Sequence, residues 1–379
     1  LGSNSEQSAI APRKPCGERS SPQGFFVHRD SMHLQLKPGL VVLPLSSTSM
    51  QIGIAPGPTY RLHKLSPSMY SFVALLTATH TWSQLLERSG LDESVAEGLR
   101  HQLADAGLLT MHQHTSMTTQ VRDRLDRARL HHDSAAWSLA NPLADSRDIM
   151  NRRSNAWVEI HGSGRLAFGL GQLLAAAGVG RITAATSRAL TEQDCAPLGP
   201  LPEHCGQPSH RALMDLLSSH YPSVHRASRA HEPPDVTVIA SEAPFVPLDL
   251  CDELVSQDRP HLPVVSRGGG FVLGPFVIPG QSACVRCDEL IHADRDATHA
   301  WIATAMRTDP SPPQAFDAVL GTLATSYVTL NTLAYIDQLV TPQLLNAVAT
   351  TTLPTGELTV TATTPHPACG CGWPQSERS

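Results

Sequence analysis

The stretch from Val158 to Thr186, VEIHGSGRLAFGLGQLLAAAGVGRITAAT, constrains this chain more than any other. Val158–Ile160 is a short apolar strand. Gly162, Gly164 and Ala167 follow at the G-x-G-x-x-A spacing. Leu166–Ala177 has a helical pattern, Gly178-Val179-Gly180 ends it, and Arg181–Ala185 forms the next strand. Strand, tight turn, helix, glycine stop and strand make the opening of a nucleotide-binding βαβ unit. The first glycine allows the sharp turn and the second lets a backbone come close. The small third residue lets helix and strand pack. The expected fold class is α/β.

A chain of 379 residues holds about two domains of ordinary size. It is 41% hydrophobic and 16% charged, as expected of a folded soluble protein. The net charge of −6 argues against nucleic acid or an anionic membrane as a partner. No uninterrupted apolar run approaches the 18 residues of a membrane span. The first 25 residues lack the apolar core of a signal peptide, so a cytoplasmic location is expected. Residues 1–29 are polar and rich in Pro, Ser and Gly, and read as a disordered lead.

Residues 30–112 read as a small module. Three short strands are expected in LQLKPGLVVLPL, MQIGI and TYRLHKL, with Gly and Pro at the breaks. Three helices follow. The first has a Ser66 cap and Pro67 at its first position, and the second runs from a Thr81 cap to a Gly90 stop. The third places Leu91, Val95, Leu99 and Leu103 on one face and ends at Gly107. Three strands and three helices resemble a winged-helix module. The third helix carries Asp92, Glu93, Glu97 and Asp105 against Arg100 and His101, the wrong balance for facing phosphates. A peptide is the better-suited partner. The strand Thr59–Leu65 would accept an added strand, with the third helix as the groove wall. The candidate contacts are Tyr60, Arg61, Leu62, His63, Lys64, Leu99, Arg100 and Leu103. Residues 113–153, rich in His and Arg, read as a linker with a helical pattern at Val121–Leu130. The second domain is then 154–379.

Two short-spaced cysteine pairs lie in that domain. Cys284 and Cys287 form a C-x-x-C; 82 residues on, Cys369 and Cys371 form a C-x-C. Both sit in turn-rich sequence, and four thiolates can close one tetrahedral Zn²⁺ shell with no open position. Such a site is structural, and would pin the strand Glu357–Thr364 to the middle of the sheet domain. Cys195, Cys205 and Cys251 lack paired spacing and read as incidental or buried; Cys16 lies in the lead. Ala315–Leu339 is a long apolar helix pattern suited to the core or a dimer face. No Ser/His/Asp arrangement is apparent, and no catalytic residue is assigned.

LLAAAGVGRIT, the step from the first helix into the second strand, resembles the E1-like superfamily: ubiquitin-activating enzymes and their ThiF- and MoeB-type relatives. The similarity runs from about Asn155 to Trp373 and implies a Rossmann-type domain, often with paired cysteines on zinc. It also implies an adenylation site, and here the chain departs from the pattern. The ribose-binding Asp is replaced by Thr186. The loop TEQDCAPLGPLPEH, where the family has an Arg finger, has no Arg. Ser209 stands where a Lys would reach the phosphates. After the fourth strand, Glu242 replaces the magnesium-holding Asp. Gly162, Gly164, Ala167 and Glu242 therefore read as a vestigial nucleotide site, and no functional ATP site is expected, because adenylation must neutralise phosphate charge.

A small recognition module ahead of a degenerate E1-like domain with a Cys₄ site resembles the Ocin-ThiF-like proteins of ribosomal peptide pathways. That resemblance implies a protein that binds a precursor leader peptide as an added strand. Its E1-like part would dock a YcaO-type cyclodehydratase, which makes azolines with ATP, in some members for thiopeptides. E1-like domains commonly dimerise, so a homodimer is also implied. The rivals are a working adenylyltransferase and a winged-helix DNA-binding regulator.

Overall fold

The structure, a computed structural model, describes residues 33–77, 80–112, 124–140, 146–224, 232–308 and 315–372. The lead at 1–29, including Cys16, and residues 113–123 of the expected linker lie outside the described residues.

The N-terminal module begins with β1 (His33–Leu36), β2 (Val42–Ser46), β3 (Ser49–Ile52) and β4 (Tyr60–Leu62). LQLKPGLVVLPL therefore gives two strands rather than one, because Lys37-Pro38-Gly39 turns the chain out of β1. Helix α1 (Pro67–Leu75) starts where Ser66 accepts from the Met69 N–H. A two-residue strand β5 (His80–Thr81) leads into α2 (Trp82–Ser89), whose Thr81–Gln84 capping box and left-handed Gly90 set both ends. Then come α3 (Glu93–Asp105) and β6 (Leu109–His112). Among the described residues the strands make two three-stranded antiparallel sheets, ordered β5-β1-β6 and β2-β3-β4. Four strands, not three, precede the first helix. One core that includes Met50, Ile52, Phe72, Leu85 and Leu103 joins the helices to both sheets.

The expected linker holds two helices, α4 (Arg124–Ala140) and α5 (Ser146–Asn155). They pack through Leu130, Ile149 and Met150 against Trp137 and Leu339. At the end of α5, the Arg153 guanidinium meets Asp337 at 2.5–3.2 Å. Arg153 is 0% exposed and Asp337 1%, so the helix is bolted to the following domain by a buried ion pair. Trp137 covers the guanidinium at 4.7 Å.

The larger domain runs β7 (Trp157–Gly162), α6 (Arg165–Ala176), β8 (Arg181–Ala184), α7 (Ser209–His220), β9 (Val236–Ser241), α8 (Leu248–Ser256), β10 (His261–Arg267) and β11 (Gly270–Leu273). It continues through α9 (Val285–Arg295), α10 (His299–Thr308), α11 (Ala318–Asp337), β12 (Ala347–Thr352) and β13 (Leu358–Ala362). Seven strands form one sheet in the order β13-β12-β11-β10-β9-β7-β8. Strands β8, β7, β9 and β10 are parallel and the rest antiparallel. Alternate residues of β9 serve different faces: Val236, Val238 and Ala240 join the core under α6, α7 and α11, while Ile239 joins a cluster with α8 and α9. Covering both faces explains why β9 is apolar almost throughout. Strand β13 lies at the sheet edge, not in its middle.

Helix α11 is long and apolar enough to cross a membrane by composition, but 61% of its most apolar window is buried in the protein.

Candidate functional site

The glycine turn joins β7 to α6 at the carboxyl ends of the parallel strands. Chain order reverses there, because β8 lies to one side of β7 and β9 to the other. A side chain on Gly162 would strike the Ala240 carbonyl oxygen at 2.4 Å, so glycine lets β7 and β9 approach. Gly164, with φ of 86°, caps α6. A Cβ there would lie 2.8 Å from both Asp194 Oδ1 and Glu242 Oε2. Ala167 is buried in the core, as packing of helix on strand requires.

Two carboxylates thus stand at the amino end of α6, where a helix offers free N–H groups to an anion. Glu242 accepts from the Leu166 N–H at 3.1 Å. Asp194 accepts from the Thr191 N–H and hydroxyl at 2.7 and 2.9 Å. Arg188 forks onto Asp194 at 2.6 and 3.0 Å and reaches Ser163 Oγ at 2.9 Å. Arg188 and Asp194 were missed in the sequence. The usable signal was Thr191-x-x-Asp194, a capping box that holds the carboxylate in place. Ser209 is buried and donates to the Thr186 carbonyl at 2.7 Å, which ties down the two positions expected to have lost nucleotide contacts. The strand ahead of Glu242 is the third of this domain, not the fourth, because the crossover from β8 to α7 is built of 3₁₀ turns.

Burial raises the Glu242 carboxyl above its ordinary value and Asp194 adds to this, against the Leu166 N–H. A raised carboxyl costs folding free energy above its folded pKa, and the cost fades as pH falls toward the unfolded value. Glu242→Gln keeps an oxygen for Leu166 and removes the charge. Its thermal midpoint should exceed the parent's at pH 8, with the gap narrowing as pH falls toward the carboxylate range. A parent more stable at pH 8 would contradict this electrostatic reading.

The four paired cysteines do meet. Their sulfurs lie within 4.8 Å of one another. The closest separations are 3.2 Å for Cys287–Cys371, 3.4 Å for Cys284–Cys369 and 3.7 Å for Cys284–Cys287. A tetrahedron with metal–sulfur bonds of about 2.3 Å has edges near 3.8 Å, so the set fits a metal ion such as zinc. Cys284 caps α9 and Cys287 occupies its first turn, while Cys369 and Cys371 arrive on the turn after β13. Cys251, Leu254, Val277 and Ala283 pack around them. Burial pushes the Cys371 thiol up to about 12 and holds the Cys284 thiol well above its ordinary value. His366 contributes no ligand. It bonds Asp294 at 2.9 Å, tying the terminal turn to α9.

The face expected to take a peptide offers fewer surface residues than the sequence suggested. Among the described residues β4 pairs only with β3, leaving one backbone edge open. The strand stops at Leu62, and Lys64 has φ of 57°, so His63 and Lys64 are exposed but outside it. Leu62, Leu99 and Leu103 are core residues and leave the surface set. Tyr60 remains at the rim, where Gln102 of α3, another residue missed earlier, donates to its hydroxyl at 2.9 Å. Arg61 bonds Gln51, and Arg100 forks onto Glu97 at 2.7 and 2.9 Å.

These features, with a four-cysteine cluster able to hold a metal ion, lie on a fold that the chain shares with solved structures. Among solved structures the chain is similar to E. coli MccB with ATP (TM-score 0.66, 15% identity), covering 89% of this chain and 99% of that one. It is also similar to the microcin C7 biosynthetic enzyme MccB in complex with N-formylated MccA (0.67, 13%, 90% and 99%), and to PaaA (0.65, 15%, 86% and 98%). No protein-family model and no curated protein matches the chain.

Proposed function

We propose that this chain is a non-catalytic partner subunit. It binds the leader of a ribosomally made precursor peptide through its winged-helix-like module and presents the peptide to a YcaO-type, ATP-dependent cyclodehydratase that forms azolines. The observation carrying this reading is the pairing of an open β4 edge beside α3 with a glycine turn held by Glu242 and Asp194. Phosphates at that turn would meet two carboxylates; of the cations there, Arg188 is engaged by Asp194 and Arg165 by the Gln193 carbonyl. Backbone pairing along β4 supplies affinity, and the Tyr60–Gln102 rim supplies selectivity. The complex of MccB with MccA, built on the same fold over nearly the whole chain, supports a peptide as ligand. The metal is proposed to be a structural Zn²⁺ held by Cys284, Cys287, Cys369 and Cys371.

Titration calorimetry with a cognate leader peptide is expected to give a micromolar dissociation constant. Tyr60→Ala should weaken it by about tenfold, as a truncated aromatic anchor does. Absence of binding at tens of micromolar would sink the proposal.

A second reading, an adenylating enzyme, is favoured by the MccB structure with ATP. Exchange of labelled pyrophosphate into ATP separates the two. The non-catalytic reading expects none above background, with or without peptide, and robust exchange would replace it with the enzyme.

A further inference from the structure

Cys195 and Cys205 show no metal-ligand spacing in the sequence, yet the fold brings their sulfurs to 3.7 Å. Two 3₁₀ turns do this: Cys195 caps Glu192–Asp194 and Cys205 caps Pro202–His204. Backbone bonds set the approach of the turns, with the Gly206 N–H donating to Leu190 O at 2.8 Å and the Leu190 N–H to Gln207 O at 3.0 Å. Both thiols are partly exposed, so a small oxidant can reach them. Among the described residues, only the four-cysteine cluster brings three or more ligand-bearing side chains close enough to share an ion. The pair is thus a dithiol without the further donors a metal shell needs. It also adjoins the carboxylate plug, since Asp194 immediately precedes Cys195 and grips Arg188.

We infer that Cys195 and Cys205 form a reversible disulfide site, separate from the metal cluster, whose closure locks the loop carrying Asp194 over the glycine turn. The oxidant is a peroxide. One thiolate attacks a peroxide oxygen, the O–O bond breaks, and a sulfenic acid and one water result. The second thiol then attacks that sulfur, the S–S bond forms, and a second water leaves. Two thiols lose two electrons and two protons, and one hydrogen peroxide becomes two waters.

The test needs one peptide. Trypsin cleavage after Arg188 and Arg211 releases Ala189–Arg211, whose cysteines are Cys195 and Cys205 alone. The full-length, metal-loaded protein is treated with hydrogen peroxide, alkylated and digested. The peptide should become two hydrogens lighter and refuse both alkyl groups, and dithiothreitol should reverse this. The cross-linked form should exceed singly oxidised forms by roughly tenfold, as an intramolecular step allows. Burial and the neighbouring Cys195 thiol hold the Cys205 thiol above its ordinary value, so cross-linking should quicken as pH rises. In Cys205→Ser, Cys195 should instead become trappable by a sulfenic-acid reagent. The inference is overturned if both cysteines remain alkylatable, if each oxidises singly, or if either crosses to a cysteine of the metal cluster.

Discussion

Asp337→Ala should lower the thermal midpoint by roughly 6–20 °C. Its partner Arg153 is fully buried, and among the described residues Asp337 is the carboxylate in ion-pair contact with it. The other contacts of that guanidinium are the Ala177 carbonyl at 3.3 Å and the face of Trp137. Removing one member of a buried pair costs about 3–5 kcal/mol. At roughly 2–4 °C per kcal/mol, that gives the stated fall. Much of the loss should return in Arg153→Met combined with Asp337→Leu, because two apolar groups carry no desolvation penalty there. Calorimetric scans of the single and double variants close the cycle. A single variant melting within about 2 °C of the parent would mean that water reaches the guanidinium. The site also ties α5 to the end of α11, so local digestion near residue 153 should accompany the fall.

The second large effect concerns the four-cysteine cluster. Elemental analysis of protein prepared without chelator should find one zinc per chain, and Cys287→Ser should lose it. With free metal a thousandfold above its dissociation constant, binding contributes about 4 kcal/mol to the folded state. Stripping it should therefore lower the midpoint by roughly 8–16 °C. The damage should begin at the turn after β13, since its ties to α9 include the cluster, the His366–Asp294 bond and the contact of Thr363 with Asp288. A chelated protein that melts unchanged, with the terminal turn still resistant to protease, would make the cysteines mere neighbours.

What could be read from the sequence was what short-range chemistry decides. Ser66 and Pro67, Thr81 and Gly90 punctuate helices within a few residues, and the caps stand as read. The cysteine pairs were legible because metal-ligand spacing is itself local. The glycine turn was legible for the same reason, but its plug was not. Asp194 reaches Gly164 across a crossover of 3₁₀ turns that has no periodicity to read. The helical pattern at Val121–Leu130 caught only the first half of α4, and α5 was missed, because their surfaces are largely polar and they dock through Arg129, Arg153 and a few apolar residues rather than a continuous stripe. Leu62, Leu99 and Leu103 were assigned to a groove from strand and helix position alone. Those same periodicities serve the module's own core.

Helix α4 has a mechanical consequence. Near its start, Arg129 donates to the carbonyls of Ala175 and Ala176 at the end of α6. Near its finish, the Ser138 carbonyl accepts from the buried Lys37 ammonium at 2.7 Å. Those grips are nine residues apart, about 13 Å and two and a half turns, and so lie on opposite sides of the cylinder. The helix therefore behaves as a keyed axle between the module and the larger domain. One inserted residue between the grips would turn one end by about 100° against the other. The two bodies could keep their separate folds, but they would lose the fixed angle between them.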